Sequence, residues 1–391
     1  MLDKNIAQAI ISSLSAGTVP IEYVRYYDVG RQEQREIVEK EIEGNTSKLR
    51  FVNGDYGTGK THFLATIRHW AIENEYVPSH VVLSPRGTPL YDLIGVYSRI
   101  VKNLALGDAN KTSPIESVLE FIFQVFQAWL KKYLDGKGLR CEKSGIEQLY
   151  CYHCHKEGKI EELYIKGFRN LNINLQVAII VYRTARWGFN PDFETAVLVI
   201  RWLEGQPLYR RELNYLGVWD NLAEDDILQG LNEVAKLVSL VGKKGMIIML
   251  DEAEGIESLT LHQRPIAYDN LKFLIEGANQ IDNAYFLYAT TPTFFNDVEN
   301  YSKELTKIVK KTACTDLAPL TSSEIKSLVF KIGEVYLSSL SDLCHKNKRE
   351  LIGKTLIEYC NNGLINRSSS VRNIITGLIG NLKLEGPDLC S

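Results

Sequence analysis

The sequence has no long run of apolar residues and no strong charge of either sign. Its apolar runs are short, as at residues 177–181, and fall far below the ~20 residues that a membrane-spanning helix needs. The formal net charge is −3 over 391 residues, so no overall field would draw the chain to nucleic acid or to an anionic membrane. Contact with DNA would therefore depend on local basic patches, and no membrane association is expected.

Cysteine is thinly spread, and the first residues lack the pattern of an export signal. Seven cysteines, an odd number in a chain of this size, fit a reducing compartment better than a disulfide framework. Asp3 and Lys4 interrupt residues 1–11, where a secretion signal would have basic and then apolar residues. We therefore expect a soluble, cytoplasmic protein, and 45% hydrophobic residues are enough to bury a large core.

The order of patterns along the chain predicts three parts. A helical segment is expected over residues 1–47, an α/β core over residues 48–318, and a small helical domain over residues 319–391. A mainly helical insertion is expected within the core, at about residues 106–225, because the regular order of strands and helices stops there. Elsewhere, short apolar strands followed by amphipathic helices predict a parallel sheet flanked by helices.

A glycine-rich segment matches the complete phosphate-loop pattern G-x-x-x-x-G-K-[ST]. It lies between a predicted strand, Leu49–Asn53, and a predicted helix that begins at Thr61. In such a loop, backbone N–H groups and the N-terminus of the following helix surround the phosphates. Lys60 is expected to bridge phosphate oxygens and the Thr61 hydroxyl to bind Mg²⁺. The predicted ATP-binding residues are Gly54, Asp55, Tyr56, Gly57, Thr58, Gly59, Lys60 and Thr61.

A second candidate centre follows the apolar strand at residues 246–250. Asp251 and Glu252 come directly after this strand, at an edge of the sheet where the phosphate loop is also expected. Asp251 is expected to hold Mg²⁺ through water. Glu252 is the candidate base that orients and deprotonates an attacking water, and Glu254 is a weaker candidate. The two motifs together predict a Mg²⁺-dependent ATPase.

Five further residues are candidates for the same site, each with an ordinary structural alternative. Thr290 and Thr291 end the next apolar strand and would reach the γ-phosphate or its water, although threonine also caps strands for structural reasons. Arg372 would act as an electrostatic clamp on the γ-phosphate, and a surface arginine is the alternative. Gly30 and Arg31 precede the helix ahead of the phosphate loop and are candidates for the adenine pocket or for a plain turn.

Two more clusters are open to two interpretations. Cys151 and Cys154 form one zinc-type C-x-x-C pair, with Cys141, His153 and His155 nearby, but a second clear pair is missing, and free cysteines are the favoured alternative. Four lysines at helical spacing form a basic stripe suited to DNA phosphate or an acidic partner, and a solvated helix face is the alternative. They are Lys303, Lys307, Lys310 and Lys311.

Taken together, these residues resemble the P-loop ATP-binding proteins of BREX phage-exclusion loci, which are relatives of the AAA+ and STAND ATPases. The similarity runs along most of the chain and includes Tyr56 and Gly57 inside the phosphate loop. Other family-like stretches are residues 29–31, 201–205 and 250–254. The resemblance implies an ASCE-type sheet with an α-helical lid and a role in antiviral defence, and it extends the expected ATP-binding segment to His62.

Three functional hypotheses follow from these motifs, with ATP and Mg²⁺ as cofactors. The first is an ATP-driven switch or motor subunit that closes its lid on ATP, with self-association or other defence proteins as partners. The second is an initiator-like DNA-binding ATPase, which predicts salt-sensitive duplex binding. The third is a nucleotide-dependent scaffold with little turnover. Replacement of Glu252 by glutamine separates the first hypothesis from the third, because turnover depends on a catalytic base whereas nucleotide binding does not.

Overall fold

A computed structural model describes most of the chain. The described residues are 2–105, 121–122, 124–125, 127–129, 131–132, 160–187, 193–340, 345–361 and 370–385. The candidate zinc residues Cys141, Cys151, His153, Cys154 and His155 lie outside them. Within these ranges, none of the helices combines the length and the apolar character needed to cross a membrane.

Five parallel strands form one sheet at the centre of the described fold. In chain order they are β1 (Leu49–Asn53), β2 (Tyr76–Val82), β3 (Gly245–Asp251), β4 (Ala284–Thr290) and β5 (Ala313–Asp316). Across the sheet their order is β2-β3-β4-β1-β5, and each neighbouring pair is parallel. Every residue of β3 and β4 is buried, as expected for strands covered on both faces.

Helices cover both faces of this sheet. In the ranges that the structure describes, they include α1 (Lys4–Ser15), α2 (Gln32–Gly44), α3 (Lys60–Glu73), α4 (Leu93–Lys102), α5 (Ile160–Asn170), α6 (Leu175–Trp187), α7 (Phe193–Leu203) and α8 (Arg210–Leu216). Later in the chain come α9 (Ile227–Leu240), α10 (Gln263–Gly277), α11 (Pro292–Tyr301), α12 (Lys303–Lys311), α13 (Ser322–Ser339), α14 (His345–Asn361) and α15 (Val371–Glu385). α2 and α3 pack on one face, and α4, α9 and α10 on the other, where α5 to α8 extend the same core. The predicted α/β fold, a parallel sheet flanked by helices, is confirmed.

The two ends of the chain pack together into a separate core beside the sheet. Apolar side chains of α1, such as Ile10 and Leu14, lie in one cluster with Ile332 of α13 and Leu378 of α15. A short 3₁₀ helix, Ile21–Tyr26, joins the same cluster. We call this cluster the terminal core. Its position matters because both ends of the chain can then contribute side chains to one cavity.

Among the elements whose boundaries differ from the expectation are β2 and α13. The apolar run at residues 80–84 predicts a strand. The structure has this strand as β2, which begins earlier, at Tyr76, and contains Pro78. Proline removes one donor from the ladder, which is tolerated here because β2 is an edge strand. Ser322, just before a run of apolar residues at helical spacing, is the N-cap that the sequence predicts for α13, but the N-cap in the structure is Thr321. Thr321 lies three residues before a glutamate, and the two form a reciprocal capping box.

Candidate functional site

A cavity of about 410 Å³ lies at the carboxyl edge of the sheet, between the phosphate loop and the terminal core. Residues 56–62 line it together with Asp251 and Glu252. A second, largely apolar set of lining residues comes from both ends of the chain: Leu14, Val19, Tyr27, Val29, Leu320, Leu328, Val371 and Ile375. Ligands of open α/β sheets bind at this edge. Amide groups beside an apolar compartment suit a ligand with an anionic end and a flat apolar end.

The phosphate loop connects β1 to α3 in a conformation that requires glycine. Gly57 and Gly59 have φ angles of +78° and +96°, in the region that a Cβ atom disfavours. The N–H of Gly54 donates to the carbonyl of Thr290 at 3.2 Å, which ties the start of the loop to the end of β4. The loop therefore has its curved shape fixed by its own glycines and by the neighbouring strand.

Lys60 lies at the base of the loop and is only 8% exposed. Its Nζ donates to the carbonyl of Gly54 at 2.8 Å and to that of Asp55 at 3.4 Å. The same Nζ lies 5.3 Å from the centre of the Tyr56 ring, within cation–π range. The positive charge of Lys60 is therefore directed into the curve of the loop, where an anion would meet it.

Asp251 ends β3 and is 1% exposed. Its Oδ1 accepts a hydrogen bond from the backbone N–H of Glu252 at 2.9 Å. Its Oδ2 lies 3.1 Å from Nε2 of His80, which sequence reasoning missed. His80 could be identified as a neighbour of Asp251 only if the pairing of β2 with β3 were known. In this pairing Val82 lies opposite Asp251, and His80, two residues before Val82, is the diagonal neighbour of Asp251 on the same face of the sheet.

Glu252 faces the cavity while Asp251 is buried, because the backbone turns sharply between them. Glu252 has φ = 54°, a left-handed conformation that is uncommon for residues other than glycine. Such conformations cluster at functional sites. The carbonyl of Glu252 accepts a hydrogen bond from the N–H of Gly255 at 3.0 Å, which holds the turn. The exposed Glu252 carboxylate is therefore placed beside the phosphate loop.

Thr61 and Asp251 bring a hydroxyl and a carboxylate to the same cavity. These are oxygen ligands of the type that Mg²⁺ takes, and Mg²⁺ usually uses only one or two protein ligands together with substrate phosphates and water. In the ranges that the structure describes, no cluster of three or more His, Cys, Asp or Glu side chains is suited to a metal. The donor set therefore fits Mg²⁺ brought in with a nucleotide.

Arg31 connects the phosphate loop to the start of α13. Its Nη2 donates to the carbonyl of Thr58 at 3.2 Å. Burial lowers the pKa of Arg31, and the negative charge of Glu324 partly offsets this effect. Gly30 is close to the same glutamate, since a Cβ added at Gly30 would lie 2.4 Å from Glu324 Oε1. Arg31 lines the cavity, whereas Gly30, the other residue expected at the adenine pocket, does not.

The C-terminal helix α15 begins against the phosphate loop. The N–H of Val371 donates to the carbonyl of Gly57 at 3.2 Å. A Cβ added at Gly57 would lie 2.4 Å from Cβ of Ser370, so the approach is close. Arg372 lines the cavity and lies beside Gly17 of the N-terminal segment. The structure thus brings Arg372 to the same cavity as Lys60.

A comparison with protein families identifies the family of the chain. The family model of the BREX system ATP-binding protein BrxC/D matches residues 2–384. The chain belongs to this family. No curated protein and no solved structure matches it. The expected resemblance is confirmed, and so are ATP binding and a place in BREX antiviral defence.

Some of the expected site residues of this BREX protein do not line the cavity: Gly30, Gly54, Asp55, Thr290 and Thr291. Thr290 is fully buried, and its hydroxyl has no hydrogen-bond partner in the part of the chain that the structure describes. The Thr291 hydroxyl lies 2.8 Å from the Thr293 hydroxyl, which donates to Glu257. Thr290 therefore contributes to the site through its carbonyl, on which Gly54 depends.

His62 joins the phosphate-loop helix to Asp28, another residue that sequence reasoning missed. His62 Nε2 lies 3.0 Å from Asp28 Oδ1, and Arg35 pairs with the other oxygen of the same carboxylate. Lys331 of α13 donates to the Asp28 carbonyl. Burial raises the pKa of Asp28, but the hydrogen bonds and charges of His62 and Arg35 outweigh burial and lower it below its ordinary value.

The lysine stripe lies on α12, away from the cavity of the BREX protein. All four lysines are exposed, and Lys310 pairs with Glu299 at 3.1 Å. Lys303, Lys307 and Lys311 share the exposed side of the helix with Glu304, which pairs with a lysine of α10. DNA contact through this stripe stays a prediction.

Proposed function

We propose that this BREX protein binds ATP with Mg²⁺ in the cavity and hydrolyses the ATP. The observation that carries the proposal is the convergence of Lys60, Thr61, Asp251 and Glu252 on one cavity, although they come from distant parts of the chain. The strand order, with the phosphate loop after β1 and the acidic pair after β3, supports an ASCE-type P-loop core. We call helices α13 to α15 the lid.

The two sets of lining residues support one orientation of ATP. The phosphates would lie against the N–H groups of the loop and the N-terminus of α3, with Lys60 turning from the Gly54 carbonyl to phosphate oxygens. The adenine would lie among apolar side chains such as Tyr27, Val29 and Leu328. Arg372 and the start of α15 would then be close to the γ-phosphate.

Each group in the polar set has a role in hydrolysis. Thr61 and Asp251 would hold Mg²⁺, which supplies neutralisation of the charge on the phosphate oxygens. Glu252 would orient a water molecule and take its proton as the water oxygen attacks the γ-phosphorus and the bond to ADP breaks. Lys60 and Arg372 would stabilise the charge on the transferred group. The products are ADP and phosphate.

Glutamine at position 252 tests the catalytic role. Glu252→Gln keeps the size of the side chain but removes the base, so turnover should fall by roughly 100-fold or more while ATP affinity changes little. Phosphate release measures turnover, and calorimetry measures affinity. Glu257→Gln is the matched control, since Glu257 lies in the same short helix, Ala253–Ser258, but does not line the cavity. Turnover in Glu252→Gln equal to that of the unaltered protein would refute the mechanism.

The lid contacts support a switch that passes the nucleotide state to other defence proteins. Val371 of the lid bonds to the phosphate loop, and Arg372 reaches the same cavity. A ligand whose contacts differ between docked and released lid must shift the balance between them. ATP should therefore slow hydrogen exchange of the backbone amides in α15 relative to ADP. Equal exchange with both nucleotides would contradict the switch but not hydrolysis.

A further inference from the structure

His80 is a buried side chain that the hydrolysis mechanism does not use. It is 9% exposed, and its Nε2 lies 3.1 Å from Oδ2 of Asp251. Its other ring nitrogen, Nδ1, has no hydrogen-bond partner among the residues that the structure describes. An ionised carboxylate only accepts hydrogen bonds, so Nε2–H of His80 is the donor whenever Asp251 is charged.

The hydrogen bond from His80 is the second of two that hold the Asp251 carboxylate in one orientation. One oxygen accepts from the backbone N–H of Glu252 and the other from His80, so rotation of the group would break a bond at either end. A carboxylate has about four lone-pair sites, so two bonds leave acceptor capacity on both oxygens for a metal or a metal-bound water. A ligand that is already oriented loses less conformational entropy when the metal binds.

We propose that His80 is the residue that positions Asp251 for magnesium. By donating from Nε2, it holds the carboxylate in the orientation that takes up Mg²⁺, and it thereby raises the affinity of the site for ATP in the presence of Mg²⁺. Groups that hydrogen-bond to metal ligands typically change metal affinity or activity by about 10–100-fold when they are removed. The inference rests on the proposed function, since it needs the metal at Asp251.

Ser79 provides a control for a purely structural role of this part of β2. It precedes His80 on the same strand, its side chain points to the opposite face, and it is fully buried. Its hydroxyl donates to the carbonyl of Ile100 at 2.7 Å. Ser79→Ala therefore removes a buried hydrogen bond from β2 without touching Asp251.

The experiment measures ATP affinity of the full chain by calorimetry, with Mg²⁺ and with EDTA. In His80→Ala the gain in affinity from Mg²⁺ should shrink by about 10–100-fold, while affinity in EDTA stays within about 3-fold of the unaltered protein. His80→Gln should recover most of the gain, because its amide nitrogen can take the place of Nε2. His80→Asn should not, because its shorter amide reaches only the place of Nδ1. Ser79→Ala should keep the full gain.

The glutamine and asparagine variants keep the test decisive if the alanine variant does not fold. A full Mg²⁺ gain in His80→Ala or His80→Asn would overturn the inference, and so would equal losses in the glutamine and asparagine variants. If the unaltered protein gains nothing from Mg²⁺, the proposed function fails and the inference fails with it. If Mg²⁺ raises the ATP affinity of the unaltered protein and of the His80 variants by the same factor, only the inference fails.

Discussion

Replacement of Gly57 by alanine should release the lid from the phosphate loop. The new Cβ would lie 2.4 Å from Cβ of Ser370, far inside the ~3.5–4.0 Å at which carbon atoms normally meet. Ser370 must therefore move away from the loop. The hydrogen bond from the N–H of Val371 to the Gly57 carbonyl, 3.2 Å long, lies directly beside this contact and should be lost with it.

The size of the effect follows from these two contacts. Loss of one hydrogen bond is worth about 1 kcal/mol, and an added carbon in a filled space typically destabilises by at least about 1 kcal/mol. The docked lid should thus be weakened by about 2 kcal/mol, which corresponds to roughly 30-fold faster hydrogen exchange of amides in α15 that open when the lid is released. Mass spectrometry of peptides from α15 measures this in the full chain without nucleotide.

Two variants separate the lid contact from simple strain of the loop. Gly57 has φ = +78°, so alanine there also adds backbone strain of about 1–2 kcal/mol. Gly59→Ala adds the same kind of strain at φ = +96°, but the nearest atom to its Cβ would be His62 Cβ at 3.9 Å. It should therefore leave exchange in α15 unchanged. Gly57→Ala combined with Ser370→Gly should restore slow exchange. Equal acceleration in both alanine variants would refute the reasoning.

Three other predictions concern binding, stability and pH. Lys60→Ala should weaken ATP binding by at least about 10-fold in calorimetry, because a charge-assisted bond is worth about 1.5–3 kcal/mol, and unchanged affinity would contradict its role. In the unaltered protein the Arg50 guanidinium, 12% exposed, lies 2.6 Å from the Glu41 carboxylate, and Glu41→Ala removes this partner. The free energy of unfolding measured with urea should therefore fall by about 3 kcal/mol, and a fall below about 1 kcal/mol would be contrary to expectation. The pKa of Asp28 is lowered in the folded chain, so the unfolded chain binds its proton more readily and stability falls with falling pH, below about pH 4. Asp28→Asn should make acid unfolding less steep in that range, and an identical pH profile would argue against this contribution.

The two motifs could be predicted because each is local in the sequence. A phosphate loop carries its glycines, its lysine and its threonine in eight consecutive residues, 54–61, and an apolar strand followed by Asp251 is equally compact. Their meeting at one cavity follows from the rule that parallel strands share a carboxyl edge. The shared location of Lys60 and Asp251 could therefore be predicted without knowledge of side-chain packing.

The contacts that sequence reasoning missed join residues that are far apart in the chain. His80 and Asp251 are 171 positions apart and become neighbours only because β2 lies next to β3. The apolar stripe of α1 predicts that this helix packs against something, but a periodicity cannot name its partner. That partner is the lid, at the other end of the chain.

The cavity joins the sheet to the terminal core, and this arrangement constrains how the molecule can tell ATP from ADP. Its apolar lining comes from both ends of the chain and would meet the adenine of either nucleotide in the same way. A nucleotide shifts a conformational balance only through contacts that differ between states. In the proposed orientation of ATP, the discrimination would therefore arise beside the γ-phosphate, at Gly57, Val371 and Arg372, where the lid touches the loop.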